Sequence, residues 1–134
     1  MKFKMTVLIA LITASTRIYA APTMDLGELG ISNQTTRSLS FTINNNCSSE
    51  IGNVTGYSIK TIPATHIIRS CAGVNTCEII GYDRPNCTGN AVGGAKINFT
   101  RNEMEVISKH IDNIGVFGSI GVYQYNLFFT ELTK

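Results

Sequence analysis

The chain has 134 residues, with 11 basic and 9 acidic side chains, four cysteines and no tryptophan. That length suits one domain with a buried core. If Lys2, Lys4 and Arg17 are removed with a leader peptide, eight basic and nine acidic residues remain, which gives a formal charge of −1. This balance excludes the basic surface that is typical of proteins binding nucleic acid or anionic membranes.

Residues 1–20 have the pattern of a secretory signal peptide. Lys2 and Lys4 form a basic start, Met5–Ala14 is apolar, and Ala20 supplies the small residue before a cleavage point. The apolar stretch is well short of the roughly 20 residues that span a membrane. We therefore expect a secreted, extracellular protein without a membrane span.

The first half of the mature chain is predicted to contain short strands. Residues 21–36 are rich in turn formers and are predicted to form a loose N-terminal arm that could include a short strand. A single β-rich domain is expected over residues 37–134. Alternating polar and apolar residues predict strands at Ser38–Ile43 and Tyr57–Ile62, and β-branched residues predict another at Thr65–Cys71.

The second half continues this pattern. A strand from Cys77 to Tyr82 precedes a turn-rich stretch, and Ala95–Thr100 is a further predicted strand. Asn102–Ile111 has a weak helical period that competes with a strand. The tail from Val116 to Leu132 is strongly β-favouring, with a tight bend or bulge expected where glycines recur, at Gly115, Gly118 and Gly121. The spacing of strands and turns predicts an all-β sandwich or barrel.

Cysteines and glycosylation sequons both agree with secretion. An even set of cysteines in a secreted chain predicts two disulfides, formed among Cys47, Cys71, Cys77 and Cys87, and three connectivities are open. Of five N-x-[ST] sequons, Asn33, Asn53 and Asn98 are the better candidates, because Asn46 and Asn86 each precede a cysteine. The triplets at Asn46 and Asn86 also form a weak internal repeat.

One stretch resembles a known family. Tyr82 and Gly89 have the Tyr-x6-Gly spacing of the βγ-crystallin Greek-key signature, and Ser119 resembles that family's later serine. The wider cysteine pattern is similar to small secreted fungal proteins of crystallin-like type. The resemblance implies a disulfide-stabilised Greek-key β-sandwich with Gly89 at positive φ. Together with short-range hairpin geometry, it favours the pairs Cys77–Cys87 and Cys47–Cys71.

The same resemblance raises the question of calcium. The family's acidic or amide pair would be Asp112 and Asn113, but Val116 and Phe117 stand where hydroxyl ligands are needed. Calcium takes several oxygen ligands. We therefore expect no strong calcium site, and no metal or cofactor of another kind.

Catalytic patterns are weak. His66 and His110 stand alone, and Phe117–Gly121 misses the G-x-S-x-G hydrolase pattern by one position. Glu103 with Glu105, or Asp83 with another acid, could serve a glycosidase if a cleft brought them together. No catalytic residue is assigned.

These observations predict a secreted, non-enzymatic protein that binds an extracellular protein or glycan, in an effector-like or antimicrobial role. A carbohydrate- or cell-wall-binding module is the alternative, with Tyr123 and Tyr125 as candidate contacts. A small secreted hydrolase is the second alternative. It would require two carboxylates, or a His–acid pair, in a solvent-facing cleft.

Overall fold

The computed structural model describes residues 26–71 and 76–132. The predicted signal peptide, residues 1–20, and the start of the predicted arm lie outside these ranges. The described chain forms strands β1 to β9 and a short helix α1. In chain order these are β1 Glu28–Gln34, β2 Ser40–Ile43, β3 Asn46–Cys47, β4 Ser58–Pro63, α1 Ala64–Arg69, β5 Cys77–Tyr82, β6 Ala91–Asn98, β7 Glu103–Ser108, β8 Ile114–Gly121 and β9 Gln124–Glu131.

The strands form two sheets. One has four strands in the order β4-β1-β9-β8, and the other has five in the order β3-β2-β5-β6-β7. β1 pairs with β9 in parallel, and the other sheet neighbours are antiparallel. The all-β prediction is confirmed, whereas the crystallin-like Greek-key type, which is built from antiparallel strands, stays a prediction. None of the described helices is long and apolar enough to cross a membrane.

The core lies between the two sheets. Strand β9 alternates, with Tyr125, Leu127 and Phe129 buried, as expected for a strand that packs one face inward. The Phe129 ring meets Phe41 of the other sheet edge to face, with ring centroids 5.5 Å apart. A Cβ on Gly81 would lie 3.0 Å from either ring, so glycine there allows the sheets to approach.

Strand β1 lies within the predicted N-terminal arm. It is hydrogen-bonded to a strand on each side, and its residues Leu29–Asn33 are buried. Leu29 and Ile31 alternate inward with Gly30 and Ser32 outward, a pattern that the surrounding turn formers obscured.

The prediction of a third strand at Thr65–Cys71 is wrong. This stretch forms helix α1, which buries Ala64 and Ile67, and Cys71 is buried just beyond its end. These residues follow the i, i+3, i+7 spacing of a helix face, which outweighs the strand preference of two adjacent isoleucines.

Two further predictions concern the second half of the chain. The competing strand over residues 105–109 prevails over the helix, because β7 pairs with β6 over its whole length. The bend expected at the glycines of residues 115–121 is absent: β8 runs through them. The turn falls instead at Val122 and Tyr123, where Tyr123 takes φ +60°.

The two disulfides confirm that all four cysteines are paired, but the favoured connectivity is wrong. Cys47 pairs with Cys87, and Cys71 pairs with Cys77, with Cα–Cα distances of 5.8 and 5.7 Å. The helix accounts for the second pair, because it ends at Arg69 and Cys71 lies buried just beyond it, close to Cys77 at the start of β5. The first pair joins the two triplets of the weak repeat.

Candidate functional site

The predicted turn after Tyr82 is held together by a buried acid. Asp83 has a side chain that is 3% exposed; its Oδ1 accepts from the Asn90 backbone N–H at 2.8 Å, and its Oδ2 accepts from Arg37 Nη1 at 3.1 Å. Gly89 has φ +82°, as the resemblance implied. Asp83 is thus committed to holding the turn, which leaves it poorly placed for acid–base chemistry.

Asp112 joins this cluster from the turn after β7. Its carboxylate lies 3.5 Å from Arg37 Nη1 and accepts from Asn90 Nδ2 at 3.1 Å. Hydrogen bonding with the Asp83 side chain, and then with Asn90, holds the pKa of Asp112 below its ordinary value, and the charge of Arg37 lowers it further. The structure thus brings Asp83 close to a second acid, as a glycosidase would need, but both carboxylates are paired with Arg37.

The three candidate glycosylation sites differ in their surroundings. Asn33 is fully buried, and its Nδ2 donates to the backbone oxygens of Arg37 and Val54 at 2.7 and 2.9 Å. Asn98 is 9% exposed, whereas Asn53 is exposed. Asn53 therefore has the exposure that a glycan needs in the folded protein, and Asn33 does not. Glycosylation at Asn33, Asn53 and Asn98 stays a prediction.

Acids and histidines outside the turn lie near the surface. Glu103 and Glu105 line a groove of about 350 Å³ on β7, together with Lys96 and Asn98. His66 Nδ1 lies 3.4 Å from Glu50 Oε1, and both side chains are well exposed. Within the described residues, no three His, Cys, Asp or Glu side chains gather as metal ligands.

The two tyrosines proposed as sugar contacts have different positions. Tyr125 is 1% exposed, packs edge to face on Phe99 at 4.9 Å, and donates a hydrogen bond to the Phe99 backbone oxygen. Burial raises its pKa. Tyr123 is 54% exposed at the β8–β9 turn, beside a groove of about 280 Å³. Tyr125 is therefore a core residue, and Tyr123 alone is accessible.

A surface that the sequence did not predict lies on the four-stranded sheet. Its side away from the core, here called the outer face, is formed by alternate residues of each strand. These residues are Ile59 and Thr61 of β4; Glu28, Gly30, Ser32 and Gln34 of β1; Gln124, Asn126, Phe128 and Thr130 of β9; and Gly115, Phe117, Ser119 and Gly121 of β8. Among these positions of the described strands, Glu28 is the single charged residue.

One row of the outer face carries its large apolar side chains. The strand registers align Ile59 with Ser32, Ser32 with Phe128, and Phe128 with Phe117. Ile59 is 74% exposed and Phe117 is 53% exposed, while Phe128 is half-buried. A Cβ on Gly115 would lie 3.2 Å from Phe117 Cε2, so the ring leans over this glycine. The row crosses all four strands, a distance of about 14 Å at the usual spacing of neighbouring strands.

Hydrogen-bonding side chains lie beside this row. Gln124 Nε2 donates to Asn126 Oδ1 at 3.1 Å, and Asn126 Nδ2 donates to Ser119 Oγ at 3.4 Å. On the other side of the row, Thr130 Oγ1 donates to Gln34 Oε1 at 2.9 Å. These contacts order the amides and leave donor and acceptor positions directed to solvent.

The sequence carries a signal for part of this surface, although the predictions from sequence did not use it. The alternation of Gln124, Asn126 and Phe128 with buried Tyr125 and Leu127 shows that β9 has a polar side. The row itself depends on the registers of four strands that are distant in sequence, and alternation within one strand does not contain that information.

The fold and its cross-links define the class: a small all-β protein of two sheets and two disulfides. No protein-family model matches the chain, and no curated protein matches it. Its structure is similar to the crystal structure of NttC, a type II secretion system substrate of Legionella pneumophila, with a TM-score of 0.53 and 14% identity. The match covers 75% of this chain and 95% of that one. At this identity the likeness shows the fold alone.

Proposed function

We propose that this is a secreted, extracellular protein that binds its partner, without catalysis, through the outer face. The observation that carries the proposal is the row with the exposed side chains of Phe117 and Ile59 on an outer face that is almost uncharged. Phe117 and Phe128 are neighbours across β8 and β9, and Ile59 lies beyond the buried Ser32 on the same face. Large apolar side chains that are grouped on one face and rimmed by polar residues are typical of interaction surfaces. The two disulfides and the fold shared with a secreted bacterial protein support an extracellular location.

A non-enzymatic role is part of the proposal. All four cysteines are in disulfides, which removes the thiol nucleophile. Asp83 and Asp112 are bound to Arg37. The groove with Glu103 and Glu105 favours the alternative of a small hydrolase, and loss of a hydrolytic activity in Glu103→Gln and Glu105→Gln would support that alternative.

The role of an effector-like protein fits the outer face better than an antimicrobial one. Among the described outer-face positions none is cationic, and attraction to anionic membranes depends on basic side chains. The crystallin-like Greek-key relationship and a fungal source stay proposals. Gly89, at φ +82°, supports the relationship, and the parallel β1–β9 pair departs from it.

Sedimentation with washed cell envelopes tests the proposal. The wild-type protein should pellet with the envelopes, and the double variant Phe117→Thr/Phe128→Thr should stay in the supernatant. Tyr123→Asn is the matched control, since it removes an exposed ring outside the outer face, and asparagine tolerates the φ of +60° found there. Failure of the wild type to pellet, or equal pelleting of the double variant, would overturn the proposal.

A further inference from the structure

We infer that the ligand of the outer face is a neutral polysaccharide chain, which lies along the row Ile59–Ser32–Phe128–Phe117. This inference rests on the proposed function and adds the chemical class of the partner. Three features of the face support it: its lack of charge, its mixture of apolar and polar side chains, and the hydrogen bonds that hold the polar ones in place.

The exposed sides of the two sheets differ in charge. On the five-stranded sheet, the register places Glu78, Lys96 and Glu105 in one row across β5, β6 and β7. On the outer face, within the described strands, the acid Glu28 lies at the end of β1 and no basic residue is present. An anionic ligand would have to lose water there without a basic side chain to replace it, and a cationic ligand would meet an acid only at the first residue of β1. The outer face therefore favours a neutral ligand.

The mixture of side chains favours a sugar over other neutral ligands. Sugar rings present C–H surfaces that pack on apolar side chains, and hydroxyls that both donate and accept. Apolar surface for packing against sugar C–H groups is supplied by Phe117, Phe128 and Ile59. The amides of Gln124 and Asn126 supply hydrogen-bond donors and acceptors for the sugar hydroxyls. The centre of a protein–protein interface is more uniformly apolar, and this row has polar residues along both sides.

The polar side chains of the outer face are held in fixed positions, which favours binding. The chain of hydrogen bonds from Gln124 through Asn126 to Ser119 holds three rotamers before a ligand arrives. A Cβ on Gly30 would lie 2.9 Å from Asn126 Oδ1, so the amide rests on the strand surface below it. Side chains ordered in advance lose less entropy on binding. With apolar contacts at both ends of the row, the face suits an extended chain of sugars rather than a monosaccharide.

Affinity electrophoresis provides the test. The folded protein is run in native gels that contain hydroxyethyl cellulose, galactomannan or dextran, with polygalacturonate as the charged control. At least one neutral polymer should retard the wild type, and polygalacturonate should not. Phe117→Thr and Phe128→Thr should each raise the Kd about tenfold, while Tyr123→Asn leaves it unchanged. Equal urea midpoints show that the variants are folded.

The outcomes separate this inference from the proposed function. No retardation by any neutral polymer, retardation by polygalacturonate alone, or a loss confined to Tyr123→Asn would each overturn the inference. If the double variant loses envelope binding, while protease-treated envelopes no longer retain the wild type, the partner is a protein. The outer face would then still be the binding surface, but the inference that its ligand is a polysaccharide would be wrong.

Discussion

The carboxylate of Asp83 occupies the space next to Gly89 that a larger residue would need: a Cβ on Gly89 would lie 2.3 Å from Asp83 Oδ1. The φ of Gly89, +82°, also disfavours any residue with a side chain. The glycine and the buried acid therefore depend on each other, and together they define the turn that ends β5.

Gly89→Ala should destabilise the protein. The strained backbone and the displaced Asp83 hydrogen bonds together should cost about 2–4 kcal/mol in the free energy of unfolding. Urea unfolding followed by circular dichroism measures the change. Gly121→Ala is the control, because nothing lies within 4 Å of its Cβ position, and it should change stability by less than about 0.5 kcal/mol. Equal losses for both variants would contradict the interpretation of the turn.

The two disulfides should contribute unequally. Cys47–Cys87 closes a sequence separation of 40 and Cys71–Cys77 one of 6. Loop-closure entropy predicts losses of about 4 and about 2 kcal/mol for the respective double serine variants. Non-reducing peptide mapping identifies the pairs directly, and a Cys77–Cys87 peptide would contradict the connectivity seen here.

Local features of the fold were predictable, whereas distant ones were not. Gly89 and its turn were found because the residues that form the turn lie within a few positions of one another. The Cys47–Cys87 pair was missed, although the repeated triplets contained both cysteines. These cysteines are 40 residues apart and come together through the pairing of β2 with both β3 and β5, which the sequence does not show. Helix α1 was missed because two adjacent isoleucines favour a strand, while the spacing of Ala64, Ile67 and Cys71 points to a helix.

The candidate site was less predictable than the fold. The aromatic tail was recognised, but the rings that face solvent were not identified: Tyr125 is in the core, and Phe117 is exposed. Which ring is exposed depends on the strand pairing, since a shift of one residue would reverse the faces. The pairing of Ser32 with Ile59 and with Phe128 is set by the packing of both sheets.

Stability should fall in acid partly through Asp112. Its pKa in the folded protein lies below the ordinary 3.8, so folding favours the ionised carboxylate. The resulting stabilisation is present above pH 3.8 and is lost as the pH falls through the lowered pKa. Asp112→Asn should therefore show a smaller loss of urea midpoint between pH 5 and pH 2, a range of roughly three units around that value. The control is Glu103→Gln, an exposed acid outside the cluster, which should keep the wild-type pH profile.

The buried amide of Asn33 should prove structural instead of a glycan acceptor. Its Nδ2 donates to three backbone oxygens, those of Arg37, Val54 and Thr55. Its Oδ1 accepts from the Thr35 backbone N–H at 3.0 Å and from Thr35 Oγ1 at 2.7 Å. Asn33→Ala would leave these groups without partners in the interior, at a cost of about 2–4 kcal/mol in the free energy of unfolding. Asn53→Ala removes an exposed side chain and should cost less than about 1 kcal/mol.

Glycan mapping after secretion from a eukaryotic host checks the same point chemically. Folded, secreted molecules should carry glycan at Asn53 and none at Asn33, because a glycan on Asn33 Nδ2 would displace its hydrogen bonds to the backbone oxygens of Arg37 and Val54. Mass spectrometry after enzymatic deglycosylation in heavy-oxygen water reads the occupancy at each asparagine. Occupied Asn33 in protein with the wild-type urea midpoint would show that this amide does not hold the β1–β2 turn.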